Sequence, residues 1–292
     1  MNVTGAVSSV GAKEIASRPV SSTVEALQGV VPGMNISTSS DGGSLKGNKE
    51  FNIRGVGTIG KGSSVTPLVL IDGMEGDINA INPQDIENIS VLKDAAASSI
   101  YGSRAPGGVI LITTKKGKSG KPSVNYNNNF RFNSPLNMPH MADSYSFALA
   151  MNDQMANNGE APMYSETKLQ QILAYQKDKS APFMWAETSG RWNSFDDPER
   201  KDMMPAANTD WLHELFGGSF THEHSLSVNG GTDMMQYYLS ANYLDEGGLL
   251  KYGDDGRQRY SFTGKINAQL AKWLKVGYSI RFNRSDYDAP SF

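Results

Sequence analysis

The chain has 292 residues, a formal net charge of -3, no cysteine, and 38% hydrophobic residues. The length suggests one large or two moderate domains, and the charge offers no nucleic-acid surface. Without cysteine, a disulfide scaffold, a thiolate metal site and a cysteine nucleophile are excluded. No apolar run reaches the ~18 residues of a membrane-crossing helix. That excludes a helical membrane protein but not membrane-crossing strands, whose alternation keeps mean hydropathy low. Met1 is not followed by a charged-then-apolar leader, so no signal peptide is expected.

Residues 1–20 are polar and small, and are expected to be extended. Residues 23–31 carry Val24, Leu27, Val30 and Val31 at helical spacing, with Ser22 or Thr23 as the cap and Pro32-Gly33 as the stop. A short strand is expected at 35–39, a Gly-rich loop at 41–49, a strand at 51–54 and a second Gly-rich loop at 55–64. Gly55, Gly57 and Gly60 match G-x-G-x-x-G. Lys61-Gly-Ser-Ser follows where a dinucleotide site needs a helix, so a plain loop is the better reading.

Residues 67–116 read as a small α/β unit around which the rest is organised. Leu68-Val-Leu-Ile71 is an apolar run fit for a buried strand, closed by the turn pair Asp72-Gly73. Pro83-Gln-Asp85 opens a short helical segment. Strands at 89–92 and 109–114 flank a small-residue helix, 95–101, capped by Asp94 and ended by Gly102. Such a helix buries little area, so the unit is expected to lean on something larger.

The ordered series Asn52-Ile-Arg-Gly55, Leu70-Ile-Asp-Gly73, Asp94-Ala-Ala96, Tyr101-Gly-Ser-Arg104 and Gly107-Gly-Val-Ile110 resembles the plug of TonB-dependent outer-membrane receptors. Its spelling is most similar to the SusC/RagA family of nutrient importers. The resemblance implies an α+β plug domain followed by antiparallel strands of a transmembrane β-barrel. It implies no enzyme and no cofactor. It implies active import across the cell outer membrane, driven through TonB and the ExbB–ExbD complex. The cargo would be an oligosaccharide, a glycan fragment or a peptide, handed over with a SusD-like surface lipoprotein.

From residue 122 the period becomes two. Val124, Tyr126, Phe130 and Phe132 alternate with asparagines and Arg131. Residues 134–221 break the pattern, with helices expected at 144–157 and 166–177 and an irregular stretch at 181–209. Strict alternation then returns in four strands. Their apolar sets are Leu226 and Val228; Met235 to Tyr243; Tyr260 to Leu270; and Leu274 to Phe282. Strand length and the rhythm of short turns and long loops favour a membrane barrel over a soluble sheet. If the first strand starts on the periplasmic side, the connections at 134–221 and 246–256 are extracellular and the turns at 230–233 and 271–273 periplasmic. Five strands cannot close, since a barrel that holds a plug needs about 22 strands of ~10 residues. The covered sequence is therefore expected to be the N-terminal part of a longer protein, with plug at 1–120 and incomplete barrel at 121–292.

Arg54, Asp72, Asp94 and Arg104 are charges in or beside an apolar small domain. They are expected to hold plug to barrel wall, or to keep that interface polar enough to slide. For ligand, position singles out the loops bearing Asp41 and Lys61 and the aromatic faces of Trp185 and Trp192. His222 and His224 share a strand face and suit a rim position better than a zinc site. Asp196, Asp197 and Glu199 read as a solvated run, and no catalytic or metal constellation stands out. The competing readings are a receptor for a small metal chelate without a lipoprotein lid, and a soluble carbohydrate-binding or adhesin module.

Overall fold

The structure is a computed structural model that describes residues 7–18, 20–38, 45, 49–53, 66–93, 99–105, 107–181, 184–187 and 202–289. The chain divides into two units, residues 1–133 with 218–292, and residues 134–217. No helix among the described residues is long and apolar enough to cross a membrane.

The first unit holds a small mixed sheet. Its strands are β1 (Val7–Gly11), β4 (Leu68–Ile71), β5 (Met74–Glu75), β6 (Ile86–Leu92) and β7 (Val109–Thr114), in the order β1-β6-β7-β4-β5. The β4–β7 pair is parallel and the others are antiparallel. Alternate residues feed two apolar clusters. Val69, Ile71, Ile89, Val91, Ile110 and Ile112 join Val10, Ile15, Val24 and Leu27 in one. Leu68, Leu70, Leu92 and Val109 join Ala105 in the other, with Val7 and Tyr101 packed against it. Cover on both faces explains why β4 is an unbroken apolar run. Each fully buried isoleucine contributes about 1.5–3 kcal/mol, so this sheet has a more substantial core than its small-residue helix suggests.

Several expectations for this region change. Residues 7–11, expected only to be extended or mobile, form β1, an edge strand in register with β6 from Val7↔Leu92 to Gly11↔Asn88. Helix α1 (Ala12–Ala16) follows it, and helix α2 (Thr23–Leu27) is shorter than its 23–31 pattern. Gln28 turns to extended backbone with ψ of 122°, and Gly29 follows with φ of 74°, so helical geometry ends there. The segment after Pro83 is one 3-10 turn, Pro83–Asp85. Residues 94–98 lie outside the described residues. The part that follows, Ser99–Arg104, is 3-10 with a kink at Gly102. Strand β2 (Met34–Thr38) pairs with β3 (Lys49–Ile53).

The second sheet of this unit is a wall of long antiparallel strands. These are β8 (Gly120–Asn133), β11 (Ser219–Gly231), β12 (Met235–Gly247), β13 (Gly256–Ala271) and β14 (Leu274–Asp288), ordered β14-β13-β12-β11-β8. Register places like on like. The row Tyr126–Leu226–Ala241–Phe262–Phe282 is apolar, and the next row, Asn125–Ser227–Ser240–Thr263–Arg281, is polar. Burial is inverted relative to a soluble sheet. Phe132, Tyr278 and Phe282 are 85%, 65% and 57% exposed, whereas Glu223, Arg259 and Lys265 are 5%, 1% and 5% exposed. Apolar out and polar in is the pattern of a wall that faces lipid. Phe130, Phe132, Phe220, His222, His224, Tyr243 and Tyr260 form a run of ring contacts on the outward face, with Tyr126 Oη 2.7 Å from His224 Nδ1. This aromatic band matches the rim position expected for the two histidines.

The chain crosses from small sheet to wall at residues 115–119, which are strapped to the β11–β12 turn. Lys118 N donates to Asn229 Oδ1 at 2.9 Å, and Ser119 Oγ donates to Asp233 Oδ1 at 2.7 Å. At Gly117 a Cβ would stand 2.4 Å from the backbone nitrogen of Tyr237. Backbone cannot retreat as a side chain can, so Gly117→Ala is expected to destabilise this crossing by about 1–3 kcal/mol. A melting temperature equal to that of the unmutated protein would remove this reading.

The unit 134–217 contains helices α3 (Ser144–Asn157) and α4 (Glu166–Lys177), at the expected positions. Asp143 caps α3, accepting from Tyr145 N and Ser146 N, and also receives Gln176 of α4. Hydrogen bonds from Ser146 first, then Gln176, hold its carboxyl down at about 2. The stretch 181–209 is not wholly irregular: β9 (Met184–Glu187) pairs with β10 (Asp202–Pro205). A short helix, α5 (Trp211–Leu215), closes the unit.

Candidate functional site: the seam between small sheet and wall

Asp72-Gly73 joins β4 to β5 with Ile71 opposite Met74, a two-residue hairpin turn. Both residues have positive φ, 51° and 87°. Asp-Gly is the sequence that such a turn selects, and it sets the Asp72 carboxylate at the tip, against the wall. Lys265 Nζ donates to its Oδ2 at 2.8 Å, and Arg281 Nη2 lies 3.5 Å away. Thr114 on β7 donates from its N to Oδ1 at 3.0 Å and from its Oγ1 to Oδ2 at 2.7 Å. Burial works to raise the carboxyl, but the Lys265 and Thr114 hydrogen bonds outweigh it and hold Asp72 below the ordinary range. A depressed carboxyl contributes stability that is complete above the unfolded Asp value, about 4. That contribution is lost as pH falls through the folded value. Melting temperature is therefore expected to fall more steeply below about pH 4 in the unmutated protein than in Asp72→Asn. Parallel curves would overturn this assignment.

Asp85 ends the 3-10 turn that Asn82 caps by accepting from Gln84 N at 3.0 Å. The turn points a carboxylate, 3% exposed, at the wall. Tyr238 donates to Oδ1 at 2.9 Å, and Ser240 and Thr263 each donate to Oδ2 at 2.8 Å. Ser240 and Thr263 are register partners on β12 and β13, Tyr238 pairs with Lys265, and Arg281 pairs with Thr263. The two carboxylates thus rest on one contiguous patch of the wall's polar face.

A third contact lies nearer the far end of the strands. Arg259 Nη1 donates to the carbonyl of Ser21 at 2.9 Å, and its Nη2 sits 3.6 Å from Glu223. Ser21 Oγ donates to Glu246 at 2.6 Å and accepts from Arg131 at 2.7 Å. Among the described residues, discrete hydrogen bonds and ion pairs clasp two separately cored parts along this seam.

Of the four charges expected at this seam, Asp72 lies in it. Arg104 does not reach the described wall: it pairs with Glu75, and both side chains are exposed. It lies just past the kink at Gly102. Arg54, Asp94, Asp41, Lys61 and Trp192 lie outside the described residues, as does the G-x-G-x-x-G run. Trp185 is placed by its backbone on β9, opposite Met204. Asp85, Glu223, Arg259, Lys265 and Arg281 were not singled out from sequence. The signal for the four wall residues was present: each is an ionisable group on the polar phase of a strand that is otherwise apolar on alternate positions.

Residues 1–109 match the TonB-dependent Receptor Plug Domain model. TonB-dependent receptor SusC of Bacteroides thetaiotaomicron is 30% identical over 281 residues, 91% of this chain and 23% of that protein. Solved structures agree: that of the RagAB peptide transporter superposes with a TM-score of 0.73 at 29% identity, over 99% of this chain and 31% of that one. The chain belongs with the TonB-dependent receptors of the SusC/RagA type. TonB-dependent receptor P3 of Formosa agariphila is likewise 30% identical over 290 residues, 99% of this chain and 24% of that protein. The chain thus spans about a quarter of the length of these curated relatives. A siderophore receptor, PirA of Acinetobacter baumannii, shares the fold at a TM-score of 0.53 and 18% identity. In this family of receptors and transporters, not enzymes, the small sheet is the plug and the long strands are outer-membrane barrel wall. The seam is the joint between the two.

Proposed function

We propose that the protein imports a nutrient across the outer membrane, with the plug shifted along its polar seam when TonB pulls from the periplasm. The observation that carries this reading is the clasping of Asp72 and Asp85 by the wall. Breaking a few directed polar contacts exposes groups that water can satisfy, whereas breaking an apolar joint exposes surface that water penalises. In this reading the plug occupies residues 1–120 and the barrel begins at 121. The excursion 134–217 and the loop 248–255 lie outside the cell. Cargo is an oligosaccharide, glycan fragment or peptide, met by a SusD-like lipoprotein, and the likeness to the RagAB peptide importer favours the peptide among these. Asp41, Lys61, Trp185 and Trp192 are proposed to lie along its path.

The test is purification of the full receptor from outer membranes in mild detergent, with mass spectrometry of what accompanies it. A stoichiometric surface lipoprotein with a carried glycan or peptide supports the reading. A receptor that arrives alone and binds a metal chelate replaces the cargo half of it. Uptake that persists after TonB is deleted overturns the mechanism.

A further inference from the structure

We propose that His140, Asp210 and His213, in the excursion between β8 and β11, form a binding site for one zinc-class divalent cation. His140 lies 70 positions before Asp210, yet both imidazoles converge on one carboxylate oxygen. His213 Nδ1 is 2.8 Å from Asp210 Oδ2, and His140 Nδ1 is 3.3 Å from the same atom. The rings are stacked 9° from parallel with centroids 4.6 Å apart, so their Nδ1 atoms reach the carboxylate side by side. The three candidate donor atoms all lie within 4.8 Å of one another. Zinc bonds to nitrogen and carboxylate oxygen run about 2.0–2.2 Å, and a tetrahedron of that size has edges of about 3.3 Å. The two separations to Asp210 Oδ2, 2.8 and 3.3 Å, are close to that edge, and the exposed His140 ring has to splay from the stack for both imidazole lone pairs to meet one ion.

The protein holds this arrangement by other means. Asp210 caps α5 through its Oδ1, which accepts from His213 N at 3.4 Å, so Oδ2 is turned to the rings. Asn208 Oδ1 accepts from Ser144 N at 3.0 Å, fastening the two chain segments beside the site. Two imidazoles and one carboxylate are a borderline donor set that suits zinc, not the all-oxygen shell that calcium or magnesium prefers. The net charge of such a set, one negative, complements a dication and leaves a coordination position for water. His140 is 84% exposed at its side chain, which gives the ion an open approach. The ion would add to the Ser144–Asn208 fastening between the start and the end of the excursion, whose roots are already paired at Asn133↔Ser219.

The experiment uses the full receptor in detergent without a polyhistidine tag, titrated with zinc by calorimetry and with cobalt by visible absorption. The expected result is saturable binding of zinc and the intense visible bands of tetrahedral cobalt. Both should weaken at least ~10-fold in His140→Ala and in His213→Ala, and be unchanged in His222→Asn with His224→Asn. Absence of saturable binding overturns the site, as does binding undiminished in the His140→Ala, His213→Ala double variant. Zinc is also expected to slow tryptic nicking within 134–217. Equal nicking with and without zinc would overturn the tying role and leave the site itself to the binding data.

Discussion

Replacing Asp85 with alanine is expected to lower the unfolding free energy of the seated plug by about 2–4 kcal/mol. Three wall hydroxyls, from Tyr238, Ser240 and Thr263, donate to this one carboxylate. Hydrogen bonds to a charged group contribute about 1.5–3 kcal/mol each, and a buried hydroxyl left without an acceptor costs about 1–3. Relief of the buried charge offsets part of that sum. Asparagine at the same place retains an acceptor oxygen, and the hydroxyls can rotate to accept from its amide, so Asp85→Asn should recover more than half the loss. Denaturant titration of receptor in detergent micelles reads both. An alanine variant within about 0.5 kcal/mol of the unmutated protein would show that the clasp contributes nothing to seating.

The second large effect concerns Lys265, which is 5% exposed and 2.8 Å from Asp72. Lys265→Met removes the nearest cation and leaves the Asp72 carboxylate to Arg281 at 3.5 Å. Breaking a buried pair costs about 3–5 kcal/mol, and the partial exposure of Asp72 and the remaining arginine reduce this to about 2–3. Asp72→Asn keeps the turn, because asparagine tolerates positive φ as well as aspartate does. The double variant Asp72→Asn, Lys265→Met is therefore expected to be more stable than Lys265→Met alone. A double-mutant cycle should return a coupling of about 1.5–3 kcal/mol. These residues stand 193 positions apart, one in the plug and one in the wall, so the coupling measures seating itself. Strict additivity would mean that the two do not meet in the working receptor.

What could be read from the sequence divides along physical lines. The wall strands were legible because their period of two is set by lipid on one side, and the register confirms each apolar phase, from Leu226 to Phe282. The Asp72-Gly73 turn was legible because few pairs accept two left-handed positions in succession. The α3 and α4 boundaries were legible because Asp143 and Ser165 cap them in place. By contrast β1 carries no apolar alternation of its own, and its strand state comes from β6, distant in sequence. Asp85 looked like an ordinary acid at a helix start, since nothing local announces that three hydroxyls more than 150 positions later will surround it. His140 and His213 are distant in sequence, and their meeting depends on how the excursion folds back.

The place of β1 at the edge of the plug sheet has a mechanical consequence. It is the first described strand and has one neighbour, β6, from Val7↔Leu92 to Gly11↔Asn88. A load applied from the N-terminal side of Val7 reaches the β1–β6 pair before the other described pairs of this sheet. An edge strand pulled at its tip parts rung by rung, with a low peak force and a long working distance. A central strand such as β7, loaded on both sides, would resist as one block. The small sheet is therefore arranged like a tear strip: its outermost ribbon yields early, while β6, β7 and β4 stay assembled above the Asp72 and Asp85 clasps.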